Sequence, residues 1–312
     1  MRTVVGVVGW MWWLAAAGLF ALRWVDGGVL VVALQCGIPL VGASLGLLLM
    51  ITSTARLWLL SALTAALLVP LTVLTWPWFL QPDLHEPGDD DTVVMSSNLL
   101  FGLGDIDAIN KAVIRRDVDA LVLLEITPEA LAQVEASDIP RLLPHRSGEP
   151  RIDAGGTMVF TRQSHALVPG APSLIYDQVV VRVQPESPQG RSWLLFGAHP
   201  VPPTQATWSE ELGALRDWQR ARPEQTPLVM AGDFNASTAH PPYRGLQEGL
   251  TDTRRRTAPG WVRTWPREYS VPAFVQLDHV LVRGWDVVDA GQVRVPGSDH
   301  DAVWARVATA GG

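Results

Sequence analysis

The first 80 residues hold three stretches without a single charged side chain, residues 3–22, 27–51 and 57–80. Each meets the need for roughly 20 apolar residues to cross a hydrocarbon layer. The connectors, residues 23–26 and 52–56, are short, so three antiparallel transmembrane helices are expected. Cys36 lies inside the second stretch, where neither disulfide bonding nor metal binding is expected. Gly37, Gly42, Ala43 and Gly46 on the same stretch would permit close helix approach. Tryptophans gather at the expected interfaces, with Trp10, Trp12 and Trp13 near one end and Trp76, Trp78 and Phe79 near the other.

Charge gives an orientation. Arg2 and Arg56 fall on one side if the N-terminus is cytoplasmic, whereas Arg23 shares its loop with Asp26. After the third stretch come Asp83, Glu86 and Asp89, Asp90 and Asp91, with no Lys or Arg until Lys111. The positive-inside rule then places the C-terminal part outside the cytoplasm, in a multi-pass cell-membrane protein. A cleaved signal peptide with a small-residue site at Ala15, Ala16 and Ala17 is the alternative for the first stretch. The two further stretches favour an uncleaved anchor.

Three parts follow: a membrane anchor over residues 1–80, an acidic linker over 81–91 and a second domain over 92–312. The linker carries Pro82, Pro87, Gly88 and three consecutive aspartates. Beyond it, short apolar runs alternate with helical patterns. Residues 92–97, 120–124, 156–161, 178–183, 193–198, 228–231, 275–283 and 302–307 read as strands. Asp105 can cap a helix bearing Ile106, Ile109 and Val113 on one face, and Thr127 with Pro128 can open a second. Thr207-x-x-Glu210 has the form of a capping box ahead of Leu212, Leu215 and Trp218. A single cysteine excludes a disulfide framework, and a net charge of −7 argues against a general polyanion binder.

Polar residues punctuate those strands. Asn98 follows the first, Glu125 the second, His199 the run 193–198 and Asp233 the run 228–231. Asp278 stands within a strand, and Asp299 with His300 precedes the last. Where strands have antiparallel neighbours, the end of one lies beside the start of the next, so one edge can collect all of these groups. Each alone has a structural reading, as a turn former or a solvated strand end. Asp278, flanked by Leu277 and Val280, is the exception, because a carboxylate in an apolar strand needs a partner.

The order Asn98, Glu125, His199, Gly232-Asp233-Phe234-Asn235, Asp278, Ser298-Asp299-His300 resembles the endonuclease/exonuclease/phosphatase superfamily. Thr264-Trp265-Pro266 is similar to bacterial members, while Leu100 departs from those with an acidic residue two positions after the asparagine. The resemblance covers roughly residues 92–307. It implies an α/β fold, a four-layer sandwich of two central mixed sheets flanked by helices, here preceded by three transmembrane helices. It also implies metal-dependent phosphoester cleavage.

On that resemblance Asn98, Glu125 and Asp299 would hold Mg2+, or Mn2+ in its place, as a sparse set of oxygen ligands. His300 would serve as general base or phosphate contact with Asp278 fixing its tautomer, and Asp233 would orient or deprotonate the attacking water. Which of Asp233 and His300 is the base stays open. Asn235 would donate to a phosphate oxygen, and His199 would donate to phosphate or protonate the leaving group. Arg254, Arg255 and Arg256 form a basic run that could hold an anionic headgroup, or be a solvated loop. The expected activity is that of a membrane-anchored phosphodiesterase or phosphatase acting on a lipid headgroup or small phosphoester. The alternatives are a surface nuclease and a non-catalytic binding protein of the same fold, and no obligate protein partner is implied.

Overall fold

The computed structural model describes residues 2–80, 84–184, 190–257 and 260–309. The chain divides into two compact units, one of Met1–Leu80 with Thr238–Pro241 and Pro259–Trp261, the other of the remainder.

The first unit is built on α1 (Arg2–Ala21), α2 (Val29–Gln35), α3 (Ile38–Thr54) and α4 (Trp58–Thr75). Phe20, Val41, Leu45, Leu48 and Leu71 form its core. Two segments, Arg2–Trp24 and Trp58–Thr75, are long and apolar enough to cross a membrane. The second apolar stretch is not the continuous helix expected, because α2 and α3 meet at a bend of 53°. Pro39, in the first turn of α3, has no N–H, and its ring would collide with the carbonyl of Gln35, where α2 ends. The Gln35 side chain is buried and donates to the carbonyls of Leu22 and Val25, in the turn that follows α1.

Of the linker, residues 81–83 lie outside the described residues, as do 310–312 of the second domain. Residues 84–91 carry no regular element, and the backbone N–H of His85 donates to the carbonyl of Val287.

The second unit begins with β1 (Thr92–Asn98), α5 (Ile106–Arg116), β2 (Ala120–Leu124), α6 (Pro128–Glu135), α7 (Ile139–Leu142), β3 (His145–Glu149) and β4 (Thr157–Thr161). It continues through β5 (His165–Leu167), β6 (Val179–Val183), β7 (Trp193–Ala198), α8 (Trp208–Arg220), β8 (Leu228–Asp233) and α9 (Pro241–Gln247). It closes with β9 (Thr251–Asp252), α10 (Thr253–Thr257), β10 (Asp278–Arg283), β11 (Trp285–Arg294) and β12 (Asp301–Thr309).

Two six-stranded mixed sheets result, in the orders β11-β12-β1-β2-β4-β3 and β5-β6-β7-β8-β10-β9. Both have one plan. A parallel pair joined by a crossover helix, β1–α5–β2 or β7–α8–β8, occupies the middle, and antiparallel strands extend it both ways. Alternation along the strands decides what each face buries. Val94, Val122 and Val159 of the first sheet meet Val181, Leu195 and Val229 of the second in the central core. Val93, Met95, Leu121 and Leu123 point outward onto Ile109 and Val113 of α5 and Ala130 and Val134 of α6.

The helix caps divide. Asp105 accepts from Ala108 N and Thr127 from Ala130 N, as their sequence contexts predict. The expected capping box at Thr207 does not form. Thr207 is already helical (φ −83°, ψ −1°), so its hydroxyl cannot turn back onto the first free N–H groups. Buried Glu211 instead accepts from Ile175 N and Val201 N, tying α8 to the loops beneath it.

Candidate active site

Register brings the polar strand ends together. Asn98 ends β1 and Glu125 follows β2, its parallel neighbour, while Asp233 ends β8 directly opposite Asp278, which starts β10. Ala198 ends β7 beside Gly232, and β12 starts at Asp301 alongside β1. Gly232 permits this closeness, since a Cβ there would collide with the carbonyl oxygen of Ala198. Each sheet therefore delivers its groups at the C-terminal ends of its parallel pair.

One atom sits at the centre. Asp233 Oδ2 lies 3.1 Å from Asn98 Nδ2, 3.6 Å from His300 Nε2 and 4.0 Å from His199 Nε2. The other oxygen, Oδ1, accepts from Asn235 N at 2.8 Å. Asn98 Nδ2 also donates to Glu125 Oε1 at 3.1 Å, while its amide oxygen accepts from Leu100 N at 2.9 Å. Asn98 thus stands between two carboxylates as a donor. Glu125 Oε2 accepts from Phe101 N, and Glu125 Oε1 lies 3.9 Å from His199 Nε2. His300 Nδ1 makes a 2.8 Å hydrogen bond to Asp278 Oδ2. Asp299 Oδ2 accepts from Trp265 Nε1, and its Oδ1 stands 3.8 Å from His300 Nε2, buried with no hydrogen-bond partner.

The two imidazoles are held by different means. Gln178 clasps the His199 backbone, accepting from its N–H and donating to its carbonyl, and the ring packs on Tyr176 at 4.7 Å. Ser298 donates to the carbonyl of Asn98 and accepts from His300 N, which fixes the approach to β12. Thr264 Oγ1 accepts from the N–H groups of both Leu277 and Asp278. The Thr264-Trp265 segment therefore holds Asp278 with one residue and Asp299 with the next. Leu100, Phe101, Glu125 and Asn235 all have positive φ, between 46° and 54°, so backbone strain collects where the functional groups are.

Electrostatics follow from this packing. Burial pushes the Glu125 and Asp233 carboxyls above their ordinary range. For His300, burial opposes the charge, but Asp278, Asp233 and Asp299 overcome it and raise the pKa to about 10. For His199, burial prevails and lowers the pKa to about 4.

Asn98, Glu125, His199, Asp233, Asp278, Asp299 and His300 are brought together. The Asn235 backbone caps Asp233, while its side chain donates to the carbonyl of Pro200. Arg254, Arg255 and Arg256 are not brought to the cluster. They lie on α10, where Asp252 accepts from the backbone of the first two, and β9 pairs with Leu281 and Val282, well along β10 from Asp278.

Sequence reasoning did not find the support behind the site. His279, on the opposite face of β10 from Asp278, is fully buried, 2.7 Å from Asp252 Oδ2 and from Tyr243 OH. Its Nε2 donates to the carbonyl of Ala236 at 2.9 Å, anchoring the turn that carries Asp233 and Asn235. A histidine within an apolar strand was the available signal.

The donor set fits a hard cation. Four buried carboxylates converge and one of their oxygens lacks a partner, an arrangement that costs free energy unless positive charge or a proton joins it. Asp233, Asp278 and His300 also present ligand atoms within 4.8 Å of one another.

A family model described as the Endonuclease/Exonuclease/phosphatase family matches residues 95–300. Among solved structures, D. rerio TDP2 complexed with a single-strand DNA product is similar at a TM-score of 0.56 and 16% identity. That likeness covers 71% of this chain and all of that one. A functionally unknown conserved protein from Enterococcus faecalis matches at 0.55 and 14%, over 70% of this chain and 100% of that chain. An endonuclease/exonuclease/phosphatase from Beutenbergia cavernae matches at 0.50 and 20%, covering 70% and 72%. At these identities the likeness is one of fold. No curated protein matches the chain.

Proposed function

Because this chain belongs to the endonuclease/exonuclease/phosphatase family, and is thereby a metal-dependent hydrolase of phosphoester bonds, we propose that it works anchored in a membrane on a lipid headgroup or small phosphoester. The observation that carries this reading is the single carboxylate oxygen of Asp233 flanked by two imidazoles and an amide, all within 4.0 Å. That arrangement suits a phosphorus centre with an attacking water on one side and a leaving oxygen on the other.

Glu125 and Asp299 are the ligands we assign to a divalent ion, Mg2+ by its preference for oxygen donors, with Asn98 orienting Glu125 through its amide nitrogen. The ion would neutralise phosphate charge and stabilise the leaving oxygen. Asp233 orients the water and takes its proton. His300, held cationic by Asp278, contacts a non-bridging phosphate oxygen. His199, kept neutral by burial, offers one N–H to the phosphate or leaving group. The Arg2–Trp24 and Trp58–Thr75 helices support anchoring, and the charge pattern of Arg2 and Arg56 against Asp83, Glu86 and residues 89–91 supports an extracytoplasmic catalytic unit.

Purified full-length protein in detergent micelles should hydrolyse a chromogenic phosphodiester in the presence of Mg2+ and stop on chelation. Turnover that survives chelation, or none for any phosphodiester or monoester tried, would overturn the assignment. Plasmid nicked faster than small phosphodiesters would move the substrate to nucleic acid.

A further inference from the structure

The apolar surface of the catalytic unit is unevenly distributed. Phe101, Leu103, Ile152, Ile175, Tyr269 and Val271 are each more than half exposed, Ile152 at 87%. Among the described residues of that unit, only Leu84, Ile114 and Leu167 are exposed large apolar side chains elsewhere.

Topology puts all six on one edge. Phe101 and Leu103 lie between β1 and α5, directly after Asn98. Ile152 lies between β3 and β4, and β4 starts opposite Leu124, the residue before Glu125. Ile175 precedes β6, whose start pairs with the end of β7 just before His199. Tyr269 and Val271 precede β10, whose first residue faces Asp233. Four separate loops thus carry apolar tips around the mouth of the phosphoester site. Scattered exposed apolar residues need no explanation, but six on one rim mark an interaction surface.

The charges on these loops indicate the partner. Arg151 is paired with Asp153 and Asp177, Arg267 with Asp301, and Glu268 with Arg294. A rim whose arginines are already matched has little to offer a polyanion, but it can enter an uncharged apolar phase. From this geometry we infer that the rim docks on a lipid bilayer and inserts its apolar tips, so that the site takes its phosphoester from the membrane surface. This rests on the proposed lipid-headgroup reading and adds the docking surface. Two observations commit the occupant to a bilayer: the matched charges, and the apolar helices long enough to cross one in the same chain.

The test uses full-length protein in phosphatidylcholine nanodiscs, with Cys36→Ser removing the native thiol. A bimane label is placed through Ile152→Cys or Tyr269→Cys, and through Ile114→Cys on α5 as control. Brominated phosphatidylcholine should quench the first two at least about twofold more than the third, and raising ionic strength about tenfold should leave that difference intact. Equal quenching at all three positions would overturn the inference. Ile152→Ser with Val271→Ser, in the otherwise native chain, should lower kcat/KM on a bilayer-embedded phosphodiester at least about tenfold while sparing a soluble one. Equal loss on both substrates, or on neither, would also overturn it. Absence of all phosphoesterase activity would sink the proposed function, and the quenching would still decide where the rim lies.

Discussion

His199 and His300 approach the same oxygen of Asp233, at 4.0 and 3.6 Å, yet the surrounding chain drives them to opposite protonation states. His300 gains a 2.8 Å hydrogen bond from its far nitrogen to Asp278 and a third carboxylate in Asp299. His199 is equally buried, but its nearest carboxylates stay at 3.9 and 4.0 Å, and the grip of Gln178 falls on its backbone. Attraction to the close carboxylates of Asp278 and Asp233, reinforced by the Asp278 hydrogen bond, therefore outweighs burial at His300, while the looser charges around His199 do not. On the proposed function, this sets a cation on one flank of the phosphate and a neutral donor on the other.

The most severe way to break this pairing is to remove a member. His300→Ala should lower kcat on a phosphodiester at least about a hundredfold, and Glu125→Gln should do as much by withdrawing the metal ligand proposed above. Steady-state rates at saturating Mg2+ check both, and near-normal turnover in either would dissolve the site. Asp278→Asn sharpens the comparison by leaving the ring in place. His300 should then titrate several units below its native value of about 10, closer to His199, with a rate loss of about tenfold or more. NMR titration of the labelled imidazole reads this directly.

The smallest effect concerns stability. The His199 pKa falls from 6.5 in the unfolded chain to about 4 in the fold, so the unfolded state binds the proton first as pH drops. Its contribution is complete above pH 6.5 and lost through pH 4, about 2 kcal/mol being gone by pH 5. His300 behaves inversely: its contribution is complete below pH 6.5 and lost as pH rises through about 10. Denaturant unfolding of His199→Gln against the native chain should show the variant losing less stability between pH 7 and pH 5. Parallel curves would mean that the His199 pKa is unshifted by folding, and a variant that loses more stability than the native chain would mean that His199 is charged in the fold.

How much of this was legible depended on burial. Strands packed on both faces, such as Ala120–Leu124 and Trp193–Ala198, announce themselves as apolar runs. The exposed edge strand His145–Glu149 carries no such signature, and a bulge between Val287 and Asp289 interrupts the alternation of Trp285–Arg294. The convergence of the polar residues was readable because each terminates or opens a buried strand. The partners of those residues were not, since Gln178 and His279 act through hydrogen bonds that cross from one loop or strand to another. The placement of the arginine run was not legible for a related reason: Arg254 and Arg255 are half-buried and Arg256 is exposed, and composition does not reveal which way a short helix faces. The bend after Gln35 was written in the sequence as Pro39, four residues on.

β12 is the last strand among the described residues, yet it lies in the interior of its sheet, between β1 and β11. A polypeptide leaving the ribosome must therefore hold that slot vacant until the other described strands of both sheets have been made. His300 arrives at the same moment, immediately ahead of the strand that fills the gap. Vectorial synthesis thus withholds the proposed catalytic constellation until these strands have all emerged, and a nascent chain lacking β12 also lacks the His300 that precedes it.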